Sequence, residues 1–304
     1  MFHSYSWPLH LAVPILDLLR GQKISVSHGY GALVWVPVPK FPFGLGALAM
    51  TAIQSLLMLR WITKIDRLVF LSNRLDFCAF YDHALARIAK HKGIEIIPNG
   101  VDLDEKPSDL QGFRNQIGAD HASIIFLCVA NYSKRKDQGF AARAFRKAAI
   151  YNSFLVFIGS EFNEFSEVFQ KADSPWDLEN SPGKIIWMEK VSREVTANAL
   201  AGCDVFVLSA SHEAQPISLL EAMREGKPWI ARDAGCISEM PGGLCVKTVD
   251  SMAHAMKDLV SKWDFRCQLG LAGRYAVETT FNREAYASSY CRLVEELVKK
   301  NIPT

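Results

Sequence analysis

The sequence has little net charge and no paired cysteine motif. It contains 34 Lys and Arg against 32 Asp and Glu in 304 residues, so the formal net charge is only +2. Such a balance does not favour binding to nucleic acid. A ligand that carries phosphate has to be bound by individual charged or polar groups close to it. The 7 cysteines form no C-x-x-C pair, and most lie in apolar runs such as Phe126–Val129. This pattern indicates buried thiols in a reducing compartment and no zinc site.

The sequence also lacks a secretion signal and a long apolar span. His3, Trp7 and His10 interrupt any apolar core of a signal peptide, which predicts a cytoplasmic protein. The stretch from Phe43 to Leu59 carries no charge over 17 residues. A spanning helix needs about 20 apolar residues, so this stretch predicts a buried or interfacial helix. An interfacial helix would allow a peripheral contact with the inner face of a membrane.

What the sequence does contain is an alternation of short β-branched runs with amphipathic segments. The runs lie at residues 23–27, 67–71, 94–97, 124–129, 154–158, 184–187, 205–208 and 229–231. Most lack polar/apolar alternation, which is typical of parallel strands covered on both faces. Helical stripes occur between them, for example from Phe140 to Ala148 and from Tyr286 to Leu297. The sequence therefore predicts an open α/β architecture, with the polar segment Asn99 to Gln116 as a linker.

The segment after the run at 205–208 is the most informative. Pro216 suits the first position of a helix, where the amides of Ile217 and Ser218 would be free to bind an anion such as phosphate. Glu213 and Glu221 flank this helix start with seven residues between them. Because a carboxylate accepts two hydroxyls, the pair suits a sugar on one side of a diphosphate and a ribose on the other. The spacing alone is equally compatible with two solvated glutamates.

Several segments in the same order carry a family resemblance. They are Ile96–Asp102, Phe157–Gly159, Asp204–Val207, the Glu-x7-Glu segment and Gly226–Pro228. Together they resemble the motifs of retaining GT-B glycosyltransferases of family 4, over about residues 20–300. The resemblance implies an α/β fold of two Rossmann-like domains facing a cleft. It places an acceptor-side domain at 1–107, a donor-binding domain at 108–280, and a final helix at 281–304 that packs back towards the first domain.

The resemblance also implies an activity. Members of this family transfer a sugar from a nucleotide-diphosphate sugar to a hydroxyl with retention, and no metal or other cofactor is implied. The acceptor would be a glycan or a lipid-linked saccharide. By position, Glu213 would contact the donor sugar and Glu221 the ribose hydroxyls, and Gly159 would lie in the donor site.

The cations that clamp the diphosphate depart from the family pattern. The family usually has an Arg and, five residues later, a Lys; Lys136 matches the Lys, but Asn131 stands at the Arg position. Charge-assisted contacts to phosphate are about twice as strong as neutral ones, so the missing cation matters. Either Lys134 or Arg135 takes the place of the missing Arg, or the amides at the start of the helix are sufficient to bind the diphosphate. Outside the family context, the same segment would be read as a solvated basic turn.

His28 is the candidate from the first half of the chain. It follows an apolar run, where the family commonly has a histidine that contacts the reacting groups; the alternative is a structural histidine.

Two other motifs carry no prediction. Gly44-x-Gly46-x-x-Ala49 lacks the preceding strand of a dinucleotide fingerprint, and Asp102-x-Asp104 lies in the linker, so no metal site is predicted.

The first domain is short for the family. Only 98 residues precede Asn99, and the family's first strand and its Gly-rich turn have no counterpart. We therefore expect an incomplete N-terminal domain, with Met1–Ser4 resembling the end of a strand midway through it. This shortness and Asn131 keep an alternative open, in which the chain is a non-catalytic nucleotide-sugar-binding module or a truncated subunit that needs a partner.

Overall fold

The structure is a computed structural model that describes residues 2–4, 21–29, 44–75, 80–105, 107–173 and 182–299. The chain divides into two compact units. The first comprises the described parts of Met1–Asn99, His212–Gln215 and Glu284–Thr304, and the second comprises Gly100–Ser211 and Pro216–Arg283. The break at Asn99 lies earlier than the boundary predicted after residue 107.

The first unit contains a parallel sheet with the order β1-β2-β3-β4. Its strands are β1 (Phe2–Ser4), β2 (Ile24–Ser27), β3 (Arg67–Phe70) and β4 (Ile94–Ile96), and its helices are α1 (Gly44–Ile62), α2 (Tyr81–Ile88) and, from the end of the chain, α10 (Arg283–Lys299). Alternate residues of β3 point to opposite faces, as a strand requires. Leu68 and Phe70 pack with α1 and α2, whereas Val69 packs with α10.

Helix α1 contains the uncharged stretch noted in the sequence, apart from Phe43, which lies outside the described residues. Met58, Trp61 and Ile62 are buried against the sheet, but Ile53 and Leu56 are 51% and 66% exposed. The helix is therefore a core element along its last turns and apolar on a solvent-facing side. Among the described helices, none combines the length and apolarity needed to cross a membrane.

The second unit contains a six-stranded parallel sheet with the order β10-β9-β8-β5-β6-β7. Its strands are β5 (Ile124–Val129), β6 (Ser153–Gly159), β7 (Gly183–Glu189), β8 (Val205–Leu208), β9 (Trp229–Arg232) and β10 (Gly243–Val246). Its helices are α3 (Leu110–Gln116), α4 (Gln138–Ala148), α5 (Glu164–Asp173), α6 (Arg193–Gly202), α7 (Ile217–Arg224), α8 (Val249–Ser261) and α9 (Trp263–Thr279). A short 3-10 helix spans Ile237–Glu239.

The central strands of this sheet are buried on both faces. Ile125 to Cys128 and Val205 to Leu208 have almost no exposed surface, although successive side chains point to opposite faces. Burial of this kind needs helices on each side, which is the arrangement of a doubly wound parallel sheet. The predicted α/β class with parallel strands is confirmed.

Two features differ from the sequence-based prediction. The polar segment to Gln116 is not a linker throughout, because α3 begins after Asp109, whose Oδ1 accepts a hydrogen bond from Gly112 N at 2.7 Å. Phe113 of this helix is 3% exposed and anchors it in the second unit. Strand β10 was not predicted, since its four residues begin with the second glycine of a Gly-Gly pair and form too short a run to show a period.

Candidate functional site

The order of strands in the second unit reverses between β5 and β8. The chain leaves β5 for β6 and β7 on one side, then returns to β8 on the other side of β5. In open parallel sheets, ligands bind outside the carboxyl ends of the strands at such a switch point. The loops after β5 and β8, at residues 130–137 and 209–216, therefore mark the candidate site.

The loops after β5 and β8 are joined by hydrogen bonds. Ser209 Oγ donates to Lys136 O at 3.0 Å, and Ser211 N donates to Arg135 O at 2.9 Å. The backbone of the basic turn is thereby held at the switch point. Asn131 and Arg135 are exposed and Lys136 is half-buried, so the turn presents its polar side chains at the rim of the sheet.

Arg232 at the end of β9 is a cation of this edge that sequence reasoning missed. Its Nη1 donates to Asp137 Oδ2 at 3.0 Å, and its guanidinium lies 4.7 Å from the centroid of the Phe140 ring. Asp137, just after the basic turn, has a left-handed φ of 45°. The ion pair therefore connects the end of β9 to the start of α4. No local pattern in the sequence relates the two positions.

Gly159 ends β6 beneath the ring of Tyr132. A Cβ at this position would overlap the ring, so the close approach requires glycine. The Tyr132 hydroxyl donates to Met188 O at 2.7 Å, and Asn163 Nδ2 donates to Tyr132 O at 2.9 Å. Burial raises the pKa of the Tyr132 phenol well above its ordinary range, which keeps the hydroxyl a donor. The carboxyl ends of β6 and β7 thus both contact the side chain of Tyr132, which lies in the loop after β5.

Pro216 is the N-cap of α7 and not its first helical residue. Its backbone is extended, with φ −74° and ψ 122°, and its carbonyl accepts the first intrahelical bond, from Leu220 N at 3.4 Å. The amides of Ile217 and Ser218 precede that first donor, so the helix itself gives them no acceptor. Their binding of a phosphate stays a prediction.

Glu221 lies one turn into α7 and is only 8% exposed. Its Oε1 accepts a hydrogen bond from Arg193 Nη2 at 2.6 Å. Arg193, the first residue of α6, also donates from Nε and Nη2 to the two carboxylate oxygens of Glu105, at 2.7 and 2.6 Å. Arg224 Nη1 donates to Glu105 Oε2 at 2.8 Å.

These contacts form a row of alternating charges, Glu221, Arg193, Glu105 and Arg224. The hydrogen bond from Arg193, followed by that from Arg224, lowers the pKa of Glu105 to about 2 against some desolvation. Sequence reasoning found Glu221 but missed Arg193, Glu105 and Arg224. Arg224 is on the same helix as Glu221, whereas Arg193 is on α6 and Glu105 lies in the segment before α3, so only the tertiary fold brings the row together.

His28 directly follows β2 and is half-buried. Its neighbour Gly29 has a φ of +97° and donates its N–H to Ser27 Oγ at 3.3 Å, which makes a tight turn at the carboxyl end of the strand. Ser27 also bonds the carboxyl of Asp82, at the start of α2. Burial raises the pKa of Asp82 to about 6, and the bond from Ser27 opposes that rise.

The loop that carries Glu213 belongs to the first unit, together with His28. Its anchor is Gln215, which is 7% exposed and hydrogen-bonded to Asn99. The predicted site residues are therefore distributed over both units. Those in the second unit are Asn131, Arg135, Lys136, Gly159, Pro216, Ile217, Ser218 and Glu221. His10 and the side chain of His3, two histidines earlier in the sequence than His28, lie outside the described residues.

Within the part of the chain that the structure describes, no three His, Cys, Asp or Glu side chains converge as metal ligands would. Asp102, the first residue of the D-x-D pair in the linker, accepts a hydrogen bond from Asp104 N at 2.9 Å. Its carboxylate also forms an ion pair with Arg283 Nη1 at 2.8 Å. These bonds fix the turn after Asn99.

A model of the glycosyl transferases group 1 family matches residues 111–275, just over half of the chain. The chain belongs to the glycosyl transferases group 1 family. The match covers the whole β5–β10 sheet and the candidate site at its edge. The retaining, family 4 subtype that the motifs resemble is compatible with this membership.

Similar proteins include one curated relative and several solved structures. The chain is 26% identical to the alpha-1,3/1,6-mannosyltransferase ALG2 of Dictyostelium discoideum over 197 residues, which are 57% of this chain and 46% of the relative. The chain thus spans about half the length of this curated relative.

Two of the solved structures illustrate the likeness in fold. A sucrose-phosphate synthase from Thermosynechococcus elongatus is 19% identical with a TM-score of 0.74, over 95% of this chain and 71% of that one. Anabaena HepE, in complex with UDP-glucose, is 14% identical with a TM-score of 0.65, over 94% and 82%. At these identities the likeness shows the fold, and the predicted GT-B type is confirmed.

Proposed function

We propose that this protein is a glycosyltransferase that moves a sugar from a nucleotide-diphosphate sugar to a hydroxyl acceptor with retention and without a metal ion. The observation that carries the proposal is Glu221, a buried carboxylate on α7 at the switch point of a group 1 sheet. Membership of the family supports the class of reaction. The UDP-glucose complex of Anabaena HepE and the mannosyltransferase ALG2 support a nucleotide-sugar donor.

In this proposal the second unit binds the donor. Glu221 accepts the ribose hydroxyls, and the diphosphate lies at the amides of Ile217 and Ser218, at the positive end of α7. Lys136 supplies a cation to the leaving diphosphate. Arg135, which is exposed in the same turn, stands in for the family Arg that Asn131 replaces. These groups offset the negative charge that develops as the sugar leaves.

The transfer step needs no covalent nucleophile in this scheme. The bond from the anomeric carbon to the diphosphate oxygen breaks, and a bond to the acceptor oxygen forms on the same face of the sugar. The acceptor's proton passes to the leaving phosphate oxygen, which balances the charge. Glu213 orients the donor sugar and His28 contacts the reacting groups.

The acceptor proposed here is a glycan or a lipid-linked saccharide at the inner face of a membrane. The support comes from α1, which exposes Ile53 and Leu56 and has the exposed Arg60 at its last turn. An apolar face bordered by cations suits a helix that lies in the plane of an anionic bilayer. In this proposal the protein is cytoplasmic and peripheral to the membrane.

A second candidate function is a non-catalytic nucleotide-sugar-binding module or a subunit that needs a partner. Asn131 favours it, because the clamp has one cation fewer than the family pattern. Such a module would bind the donor through Glu221 and the helix amides without transferring the sugar.

The test is to incubate the protein with UDP-, GDP- and ADP-hexoses and with alkyl glycoside or lipid-linked saccharide acceptors, in buffer with EDTA. Transfer with the donor's anomeric configuration kept, as read by NMR, is the expected result. Donor binding without transfer to any acceptor would favour the binding module. Failure to bind any of the nucleotides would overturn both functions.

A further inference from the structure

We infer that Arg193 is a positioning residue for Glu221 and thereby sets the preference of the donor site for a ribonucleotide. The inference rests on the proposed function, because it concerns the carboxylate that would hold the ribose. Arg193 acts through Glu221 and is not assigned a contact with the donor.

The first step is the geometry of the Glu221 carboxylate. Arg193 Nη2 donates a hydrogen bond to Glu221 Oε1 at 2.6 Å, while Glu221 Oε2 has no hydrogen-bond partner among the residues that the structure describes. One oxygen is therefore held by the protein and the other is left for a ligand. A carboxylate oxygen has two lone pairs, so Oε2 by itself can accept from both hydroxyls of a ribose.

The second step is what holds Arg193. Its side chain is half exposed, and a long exposed side chain loses entropy when it is fixed by one surface ion pair alone. Here the guanidinium forms a two-pronged pair with Glu105, and Glu105 is in turn held by Arg224, whose side chain is 6% exposed. Arg224 Nη1 also donates to Asp102 O at 3.0 Å. The planar fork of Arg193 is thus aligned before any ligand arrives.

The third step is the consequence for affinity. A carboxylate that is buried with a cation on one side has one orientation, so a ribose does not have to order it on binding. Without Arg193, Glu221 would be a buried charge without its ion-pair partner, which is strongly unfavourable. The side chain would turn towards water, and the ribose hydroxyls would lose their acceptor.

The experiment compares ribonucleotides with 2′-deoxyribonucleotides by calorimetry. The probes are UDP, GDP and ADP, each paired with its 2′-deoxy form, and the variants are Arg193→Gln, Arg193→Lys, Glu105→Gln and Glu221→Ala. For the wild type we expect the best ribonucleotide to bind about tenfold more tightly than its deoxy form, the worth of a hydrogen bond to a charged group. Arg193→Gln should lose most of this preference and leave the affinity for the deoxy form nearly unchanged.

The other variants separate positioning from fold. Lys supplies one point charge in place of a planar fork, so Arg193→Lys should restore part of the preference for the ribonucleotide that Arg193→Gln loses. Glu105→Gln should reduce that preference below the wild-type value, since Arg193 loses the carboxylate that holds it. Arg283→Gln, which breaks the exposed pair with Asp102, is the matched control and should bind like the wild type. Circular dichroism checks that each variant is folded, and the Lys and Glu105 variants carry the test should Arg193→Gln not fold.

The outcomes test the role of Arg193 separately from the proposed function. If Glu221→Ala loses the preference while folded Arg193→Gln keeps it, the role of Arg193 is overturned and the donor site stands. If Arg193→Gln weakens ribo and deoxy forms equally, Arg193 contacts phosphate or supports the fold, and the inference is again overturned. If the wild type binds none of the six nucleotides, the proposed function itself fails.

Discussion

Gln215 accepts a hydrogen bond from the backbone N–H of Asn99 at 2.6 Å through its side-chain Oε1, and its own carbonyl accepts from Asn99 Nδ2 at 3.3 Å. The two residues are 116 positions apart in the chain. The pair ties the loop that carries Glu213 to the turn after β4. The loop belongs to the first unit for this reason, although its neighbours in the sequence belong to the second.

The first prediction follows from this pair. Gln215→Ala removes the acceptor of the Asn99 amide, and the Glu213 loop loses one of its two bonds to Asn99. We expect the transfer rate to fall about tenfold and the free energy of unfolding to fall by about 1–3 kcal/mol, the usual cost of an unsatisfied polar group. The affinity for nucleoside diphosphate should not change.

Gln111→Ala is the matched control for this variant. It also removes a glutamine hydrogen bond, from Gln111 Nε2 to Asn115 Oδ1 at 2.9 Å, but on an exposed helix face. We expect wild-type transfer from it. A Gln215→Ala protein with full activity would show that the bond does not position Glu213.

The second prediction separates the two glutamates that flank the start of α7. Glu213→Gln keeps the size of the side chain and removes its charge. If Glu213 orients the sugar, the variant should lose most of its transfer activity and keep its affinity for the free nucleoside diphosphate. Calorimetry and a transfer assay on the same preparation measure both quantities. Equal loss of both would make Glu213 a nucleotide contact or a structural residue.

The third prediction concerns the exposed face of α1. Ile53→Gln with Leu56→Gln removes two exposed apolar side chains without touching the buried face at Met58, Trp61 and Ile62. If the helix binds an anionic bilayer, sedimentation with vesicles of phosphatidylglycerol and phosphatidylcholine should be strong for the wild type. It should weaken with salt because of the Arg60 cation, and fall further for the double variant.

Leu271→Gln is the control for this test, since Leu271 is 68% exposed on α9 of the other unit. Its sedimentation should match that of the wild type. Equal amounts of wild-type protein in the supernatant with and without vesicles would remove the membrane from the proposal. The face of α1 would then be left as ordinary exposed surface.

The fourth prediction concerns pH and the neighbouring residues Asp82 and His83. Burial raises the pKa of Asp82 from 3.8 to about 6, so the folded protein binds this proton more tightly than the unfolded chain, and its contribution to stability is lost as the pH rises through about 6. Burial, followed by the charge of Arg87, lowers the pKa of His83 from 6.5 to about 4. Its contribution has the opposite sign and is lost as the pH falls.

Asp82→Asn removes only the first of these contributions. The free energy of unfolding, measured by urea titration between about pH 4 and pH 6, should then rise more steeply with pH than in the wild type, by at most about 1.4 kcal/mol per pH unit. Asp258→Asn, at an exposed pair with Lys262, should leave the slope unchanged. An unchanged slope in Asp82→Asn would show that the carboxyl titrates near its ordinary pKa.

Much of the fold was predictable from local sequence. Runs such as Ile124–Val129 and Val205–Leu208 lack polar alternation because both faces of those strands are covered, and their strand bounds agree with the prediction. The short β10 was missed because four residues that begin with a glycine show no period. Pro216 was placed one position too far into its helix, since proline at the N-cap and at the first helical position look alike in sequence.

The sequence by itself determined the parallel α/β class and the family, and it predicted residues that suit a nucleotide sugar, including Glu213, Glu221, Lys136 and His28. These signals are local, because they depend on periods and spacings within a few turns of chain. Only the tertiary structure decided that Arg193, Glu105 and Arg224 form a charged row behind Glu221, and that Gln215 ties the Glu213 loop to Asn99. Such pairs lie on separate elements, and their distances are set by strand order and helix packing, which no spacing along the chain encodes.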